Sequence, residues 1–308
     1  MKHGLLLVDK PPGCTSHDVV VTARRALRQK KIGHCGTLDP QATGLLLLTV
    51  GRATRLTRFL IRAPKVYVGA ARLGVVTDTY DLSGEILAEP ATDSLTDEAI
   101  RSTMEGFVGA RLQTPPPYCA KKVRGVKYYE LARRGEKVPE EKKEITVFEF
   151  RATAEWRPGQ DLEFLLSCSS GTYARSLLHE LGQLVGCGAA LSRLRRTQVG
   201  PFKIADAIAI EALRQAPEQS DDPDAAWAGR AWIPFDAIEL PFGEIVADQQ
   251  QERRIQNGQS VLIRGLESQE GDWIKVINRR QQFIAVGSVV ERIGSGQVGV
   301  VQPRVVFR

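Results

Sequence analysis

Paired cysteines, long apolar runs and aromatic residues are all scarce in this 308-residue chain. Its five cysteines (Cys14, Cys35, Cys119, Cys168 and Cys187) are odd in number and form no CxxC pair, so neither a disulfide framework nor a zinc site is indicated. His34 adjoins Cys35, but adjacent side chains rarely chelate one ion and no second pair has ligand spacing. No metal and no cofactor are therefore expected. The longest apolar stretches, such as Leu45 to Leu48, fall far short of the ~18 residues of a membrane-spanning helix. The opening MKHGLLLVDKPPG turns too soon for a secretion signal, so a cytoplasmic protein is expected.

Acidic residues are missing chiefly from the front of the chain. Residues 1–75 hold 13 Lys/Arg against 3 Asp/Glu, whereas residues 207–250 hold 2 against 9, so the net charge of +6 conceals a strong segregation. A basic front half suits a polyanionic partner such as RNA, although charge alone is equally compatible with a solvated basic surface.

Gly4 to Asp9 reads as a buried strand stopped by Pro11-Pro12-Gly13. Thr15, with Asp18 three residues on, then opens a helix whose seam is Val19, Val20, Ala23, Leu27 and Lys30 and whose flank carries Arg24, Arg25 and Arg28. Alternation over Lys65–Leu73 predicts a strand with Val66, Val68 and Ala70 on the apolar face and Tyr67 on the other. Residues 145–155 and 161–168 predict two more strands, and 172–185 a helix burying Leu177, Leu178, Leu181 and Leu184. Strands mixed irregularly with helices point to an α+β fold. Residues 114–143, rich in proline, basic residues and tyrosine, read as an insertion, and 214–230 as a connector. Short strands at Val261–Arg264, Trp273–Ile277, Phe283–Val290, Val298–Val301 and Val305–Phe307 predict a small β-barrel, giving units of 1–235 and 240–308.

In GHCGTLDPQATGLLLLTVG, residues 33–51, a single carboxylate stands before a run of leucines. Pro40 biases Asp39 toward extended backbone, so its direction is partly fixed in advance; a plain turn-capping role is the competing reading. Arg175 leans toward the packed side of its helix, and a buried arginine needs an anion. The DTYD at 78–81 has too few acids for a calcium loop and reads as a turn.

The stretch Gly33–Leu56, GHCGTLDPQATGLLLLTVGRATRL, closely resembles the catalytic motif of bacterial tRNA pseudouridine synthases of the TruB family. KVYVGAARLGVVTDTYDLSG (65–84), QTPPPYCAKKVRGVKYYELARRG (113–135) and CSSGTYARSLLHELGQLVGCGAALSRLRRTQVGPF (168–202) are similar to further family blocks, as is LLLVDKPPGCTSHDVV near the start. The resemblance covers most of residues 4–202, and the segment beyond 240 is similar to a PUA-type RNA-binding domain. Cys119 departs from the serine usual in the family.

What the resemblance implies is a pseudouridine-synthase fold, a central mixed and largely antiparallel sheet flanked by helices, with a small PUA-like β-barrel. It implies isomerisation of uridine 55 in the T-loop of tRNA, with the base flipped outward. Asp39 would be the nucleophile at C1′ or the base at C2′, paired with Arg175, and Tyr67 would stack on the uracil or transfer a proton. His34 would fill the vacated stack and Leu194 would pack beside the site. Lys10, Tyr173, Arg195, Lys122 and Lys127 would bind the RNA, joined by Lys121, Arg124, Arg193 and Arg196 at phosphates and by Tyr118, Tyr128 and Tyr129 as stacking candidates. The partner would be the tRNA T-arm, with no metal and no membrane, and the protein a monomer. Two alternatives stay open: a non-catalytic RNA-binding factor on this scaffold, and a guide-dependent relative.

Overall fold

The computed structural model describes residues 2–118, 141–215, 229, 231–294 and 298–307, with the main chain of 122–123 and 126–127. A large mixed sheet organises the first part. Its strands run in the order Ile208–Ala209, Gly4–Lys10, Thr43–Val50, Ala189–Val199, Lys65–Leu73, Leu162–Cys168, Lys143–Ala152 and Gly109–Gln113. Most neighbours are antiparallel, while Ala189–Val199 meets Thr43–Val50 in parallel at Arg195↔Thr43 and Arg196↔Gly44. The fold is α+β.

The leucine runs explain the middle of this sheet. A strand covered on both faces needs apolar side chains at every position rather than at alternate ones. Leu5, Leu7, Leu45 and Leu47 join one core with Phe59, while Leu6, Val8, Leu46 and Leu48 join another beneath Val19, Val20 and Ala23 of the Ser16–Ala26 helix. That helix starts at a full capping box between Thr15 and Asp18 and stops at Ala26, with Arg28 in a left-handed conformation (φ 48°). Lys30 therefore lies outside the helix and is exposed, and the buried polar residue here is Gln29. A third core packs Leu177, Leu178 and Leu181 of the Ala174–Leu184 helix against Leu162, Phe164 and Leu166. Leu184, expected inside, is 63% exposed, while Leu181 and Gly182 of the same turn are buried.

The second sheet runs Glu244–Ala247, Trp273–Asn278, Phe283–Arg292, Val298–Val306 and Val261–Arg264 and curls around its own core, closed by Ile255 of the Gln249–Gln256 helix. This is the PUA-like unit. Val298–Val306 is one strand rather than the two expected: Pro303 stands opposite Gly287 at a register shift, where a missing N–H is tolerated. Phe283 and Phe307 cross to the first sheet's core, where they stack around Phe235 with ring centroids 4.8–5.1 Å apart.

Candidate active site

The turn that carries Asp39 is pinned on both sides. Leu38 N–H donates to Ser16 Oγ at 2.8 Å, and on the other side Pro40 O accepts from Gly13 N–H and from Lys10 Nζ, each at 3.0 Å. Lys10 is fully buried and donates also to Pro11 O and Cys14 O, at 2.9 and 2.8 Å. Burial holds its pKa below the ordinary lysine value, partly offset by Cys14 and Asp39. This corrects the expected substrate contact: the Lys10 ammonium fastens main-chain carbonyls behind the turn. Gly44, just past the turn, has φ 102°, and a Cβ there would stand 2.3 Å from Arg196 O.

Asp39 projects from this frame with 49% of its side chain exposed, its Oδ2 2.9 Å from Arg175 Nη2. Arg175 is 6% exposed. Its Nη1 donates to Thr79 O at 3.0 Å and lies 3.5 Å from Asp81 Oδ2, and its Nη2 also donates to Tyr118 O at 3.0 Å. A guanidinium has a planar fork of donors and is therefore held in one orientation by such a ring of acceptors. Asp81 is itself fixed, accepting at Oδ1 from Thr79 Oγ1 (2.8 Å) and Ser83 N–H (3.0 Å). Sequence reasoning assigned this DTYD segment to a turn and missed its grip on Arg175, because no spacing rule links residue 81 to residue 175.

Tyr67 corrects the alternation. It packs against the core under the Ala174–Leu184 helix, next to Leu166 across the sheet, while Val66 and Val68 stay outside every core cluster. Gly69 explains why: its Cβ would clash with Phe164 and Arg193 O, so the strand's apolar face falls on Tyr67, Ala71 and Leu73. Burial raises the Tyr67 pKa, whereas a hydrogen bond and the charge of Arg196 act to lower it. The resting group is a neutral phenol.

Arg196, expected at phosphate, is 1% exposed and donates from Nε to Leu45 O (2.8 Å) and from Nη2 to Gly36 O (3.1 Å). It is an internal brace between the Asp39 turn and Tyr67. Arg195 forks onto Asp9 at 3.1 and 2.6 Å, and Arg193 pairs with Glu163, both at partly exposed positions. Leu194 packs on the core beside Tyr67, and its carbonyl accepts from Thr43 Oγ1 at 3.4 Å. His34 is partly buried with Nδ1 unpartnered, and desolvation lowers its pKa, so the ring is neutral. Tyr173 precedes the Ala174–Leu184 helix and exchanges main-chain hydrogen bonds with the Gln113 side chain at 2.8 and 3.0 Å. The Lys122 and Lys127 side chains, with Cys119, Lys121, Arg124, Tyr128 and Tyr129, lie outside the described residues. Among the described residues no His, Cys, Asp and Glu cluster has metal-binding geometry, and no helix is long and apolar enough to cross a membrane.

The geometry thus joins Asp39 to Arg175 directly, and joins Tyr67 to the Asp39 turn through Arg196, with Leu194 packed on the same core as Tyr67. Residues 24–174 match a family model described as TruB family pseudouridylate synthase (N terminal domain), and residues 175–238 match one described as tRNA pseudouridylate synthase B C-terminal domain. The chain is 39% identical over 288 residues to tRNA pseudouridine synthase B of Solibacter usitatus, covering 93% of this chain and 96% of that protein. To the protein of the same name from Heliobacterium modesticaldum it is 36% identical, covering 99% and 95%. A solved archaeal box H/ACA sRNP Nop10-Cbf5 complex contains a similar chain, with TM-score 0.74 and 25% identity over 100% of this chain and 86% of that one. The chain belongs to the TruB family of pseudouridylate synthases.

Proposed function

We propose that the protein isomerises uridine to pseudouridine at position 55 in the T-loop of tRNA, with Asp39 as the reacting carboxylate. The observation that carries this is a half-exposed Asp39 whose Oδ2 is held at 2.9 Å by an arginine that is itself buried. The pair holds the carboxylate in one direction, and leaves Oδ1 for the ribose. The reaction breaks C1′–N1, turns the uracil and forms C1′–C5, and the proton leaving C5 is balanced by one gained at N1. It needs no redox partner. Asp39 adds to C1′ or takes a proton from C2′, and both routes use the same carboxylate oxygen. Tyr67, a neutral phenol beside Leu194, lies against the turned base and exchanges protons with it.

The uridine leaves its stack at a cost of a few kcal/mol, and the neutral His34 ring, close before Asp39, fills the gap. Residues 1–235 form the catalytic unit and 240–308 an RNA-binding one, with Lys122, Lys127, Tyr173 and Arg195 along the RNA path. On this reading the protein works in the cytoplasm as a monomer on the T-arm. Tritium release from 5-tritiated uridine in a bare T-arm hairpin tests it: the wild type should release tritium without a partner, and Asp39→Asn should be slower by about a thousandfold or more. Tight tRNA binding with no release by the wild type would mean an RNA-binding factor instead, and release only with an added guide would mean the guide-dependent alternative.

A further inference from the structure

Tyr80 occupies a position that tyrosine seldom takes. Its φ is +64°, one of three positive values at non-glycine residues among those described, and a bulky side chain is disfavoured there. Glycine or asparagine would make this turn without strain. Its ring lies parallel to the His179 imidazole, with centroids 3.8 Å apart and planes within 10°. His179 stands four residues after Arg175 on the same face of the Ala174–Leu184 helix. The residues either side of Tyr80, Thr79 and Asp81, are the ones that grip the Arg175 guanidinium, and Tyr80 O accepts from Leu191 N–H at 3.0 Å. The left-handed turn is what sends Thr79 O and the Asp81 carboxylate toward Arg175 while the ring between them goes to His179.

We infer that Tyr80 and His179 are positioning residues: their stacked rings fasten the Thr79–Asp81 loop to the helix that carries Arg175, and so fix the direction in which Arg175 holds Asp39. The inference rests on the catalytic reading of Asp39 given above. The loop and the arginine then move as one body, so the ion pair keeps its angle while RNA enters. Leu191 of the Ala189–Val199 strand holds the loop's main chain from the other side, and the stack adds a direct tie to the helix besides Arg175 itself.

The test compares single-turnover tritium release and tRNA binding across Tyr80→Gly, Tyr80→Phe, His179→Ala, His179→Phe and the Tyr80→Gly/His179→Ala double variant, with Asp39→Asn as control. Tyr80→Gly suits the left-handed backbone and removes the side chain. It and His179→Ala should slow release about tenfold while the tRNA Kd stays within about twofold, because misaiming a reacting group costs rate rather than affinity. The two phenylalanine variants should stay within about threefold of wild type, and the double variant should be no slower than its slower parent, as expected for one shared contact. Wild-type rates in Tyr80→Gly and His179→Ala, losses shared equally by the phenylalanine variants, or losses that multiply in the double variant would each overturn the positioning role. An active Asp39→Asn would instead overturn the catalytic reading beneath it.

Discussion

Two buried arginines stand on either side of the Asp39 turn's contacts and are treated in opposite ways. Arg175 faces two carboxylates, Asp39 at 2.9 Å and Asp81 at 3.5 Å. Arg196 faces main-chain carbonyls of Leu45 and Gly36 and the Tyr67 phenol, and shares its interior with a second cation, Lys65. The first turns its charge toward Asp39, the proposed reacting acid. The second leaves its charge uncancelled, so its field reaches Tyr67 and works against the burial that raises the phenol's pKa. One arginine aims a half-exposed acid; the other braces backbone beside a buried phenol.

This contrast breaks most readily at Arg175. Arg175→Ala should cut single-turnover tritium release by about a thousandfold, roughly 4 kcal/mol of transition-state stabilisation. The fold should survive, because Asp39 is half exposed and water can take over its solvation. A rate within tenfold of wild type would make the ion pair incidental. Arg196→Met should act on stability first. Removing the guanidinium strips the donor from Leu45 O and Gly36 O, and urea unfolding should show a loss of about 3 kcal/mol. Since Arg196 is 1% exposed, the salt dependence of tRNA binding should not change in that variant. A flatter salt slope would return Arg196 to the phosphate backbone, and unchanged stability would mean that its desolvation cost cancels its hydrogen bonds.

Much of this was legible in the sequence, for physical reasons that differ by residue. Asp39 and Arg175 stood out because one precedes proline at the mouth of an apolar strand and the other sits on a helix's packed side. The Thr15/Asp18 capping box marked a helix start, since it depends only on local spacing. Tyr67 was placed on the wrong face because Gly69 interrupts the alternation and Phe164, from another strand, decides which side is filled. Lys10 and Arg196 read as surface cations because a sequence shows charge but not the carbonyls that fold around it. Asp81 was hidden for the same reason: its partner lies across the fold on the Ala174–Leu184 helix. Local signals wrote the elements, and long-range contacts wrote the second layer of the site.

Lys65 offers the finest test of the uncancelled charge of Arg196. Its ammonium is buried and donates to Ile61 O and Ala63 O at 2.5 and 2.6 Å. Burial, helped by the charge of Arg196, pushes its pKa from 10.5 down to about 8, against the opposing pull of Cys168 and Cys35. Below about 8 the folded and unfolded chains both keep the proton, and the whole cost of the buried charge is felt. Between about 8 and 10.5 the folded chain has released a proton that the unfolded chain still binds, so stability rises with pH through that window. Lys65→Met removes this titration and nothing else that ionises. The unfolding free energy of the wild type, taken relative to Lys65→Met, should therefore rise by about 2 kcal/mol between about pH 7 and about pH 9.5. A flat difference would mean that the two carbonyls alone satisfy the ammonium, and that the positive charge of Arg196 is screened before it reaches either Lys65 or Tyr67.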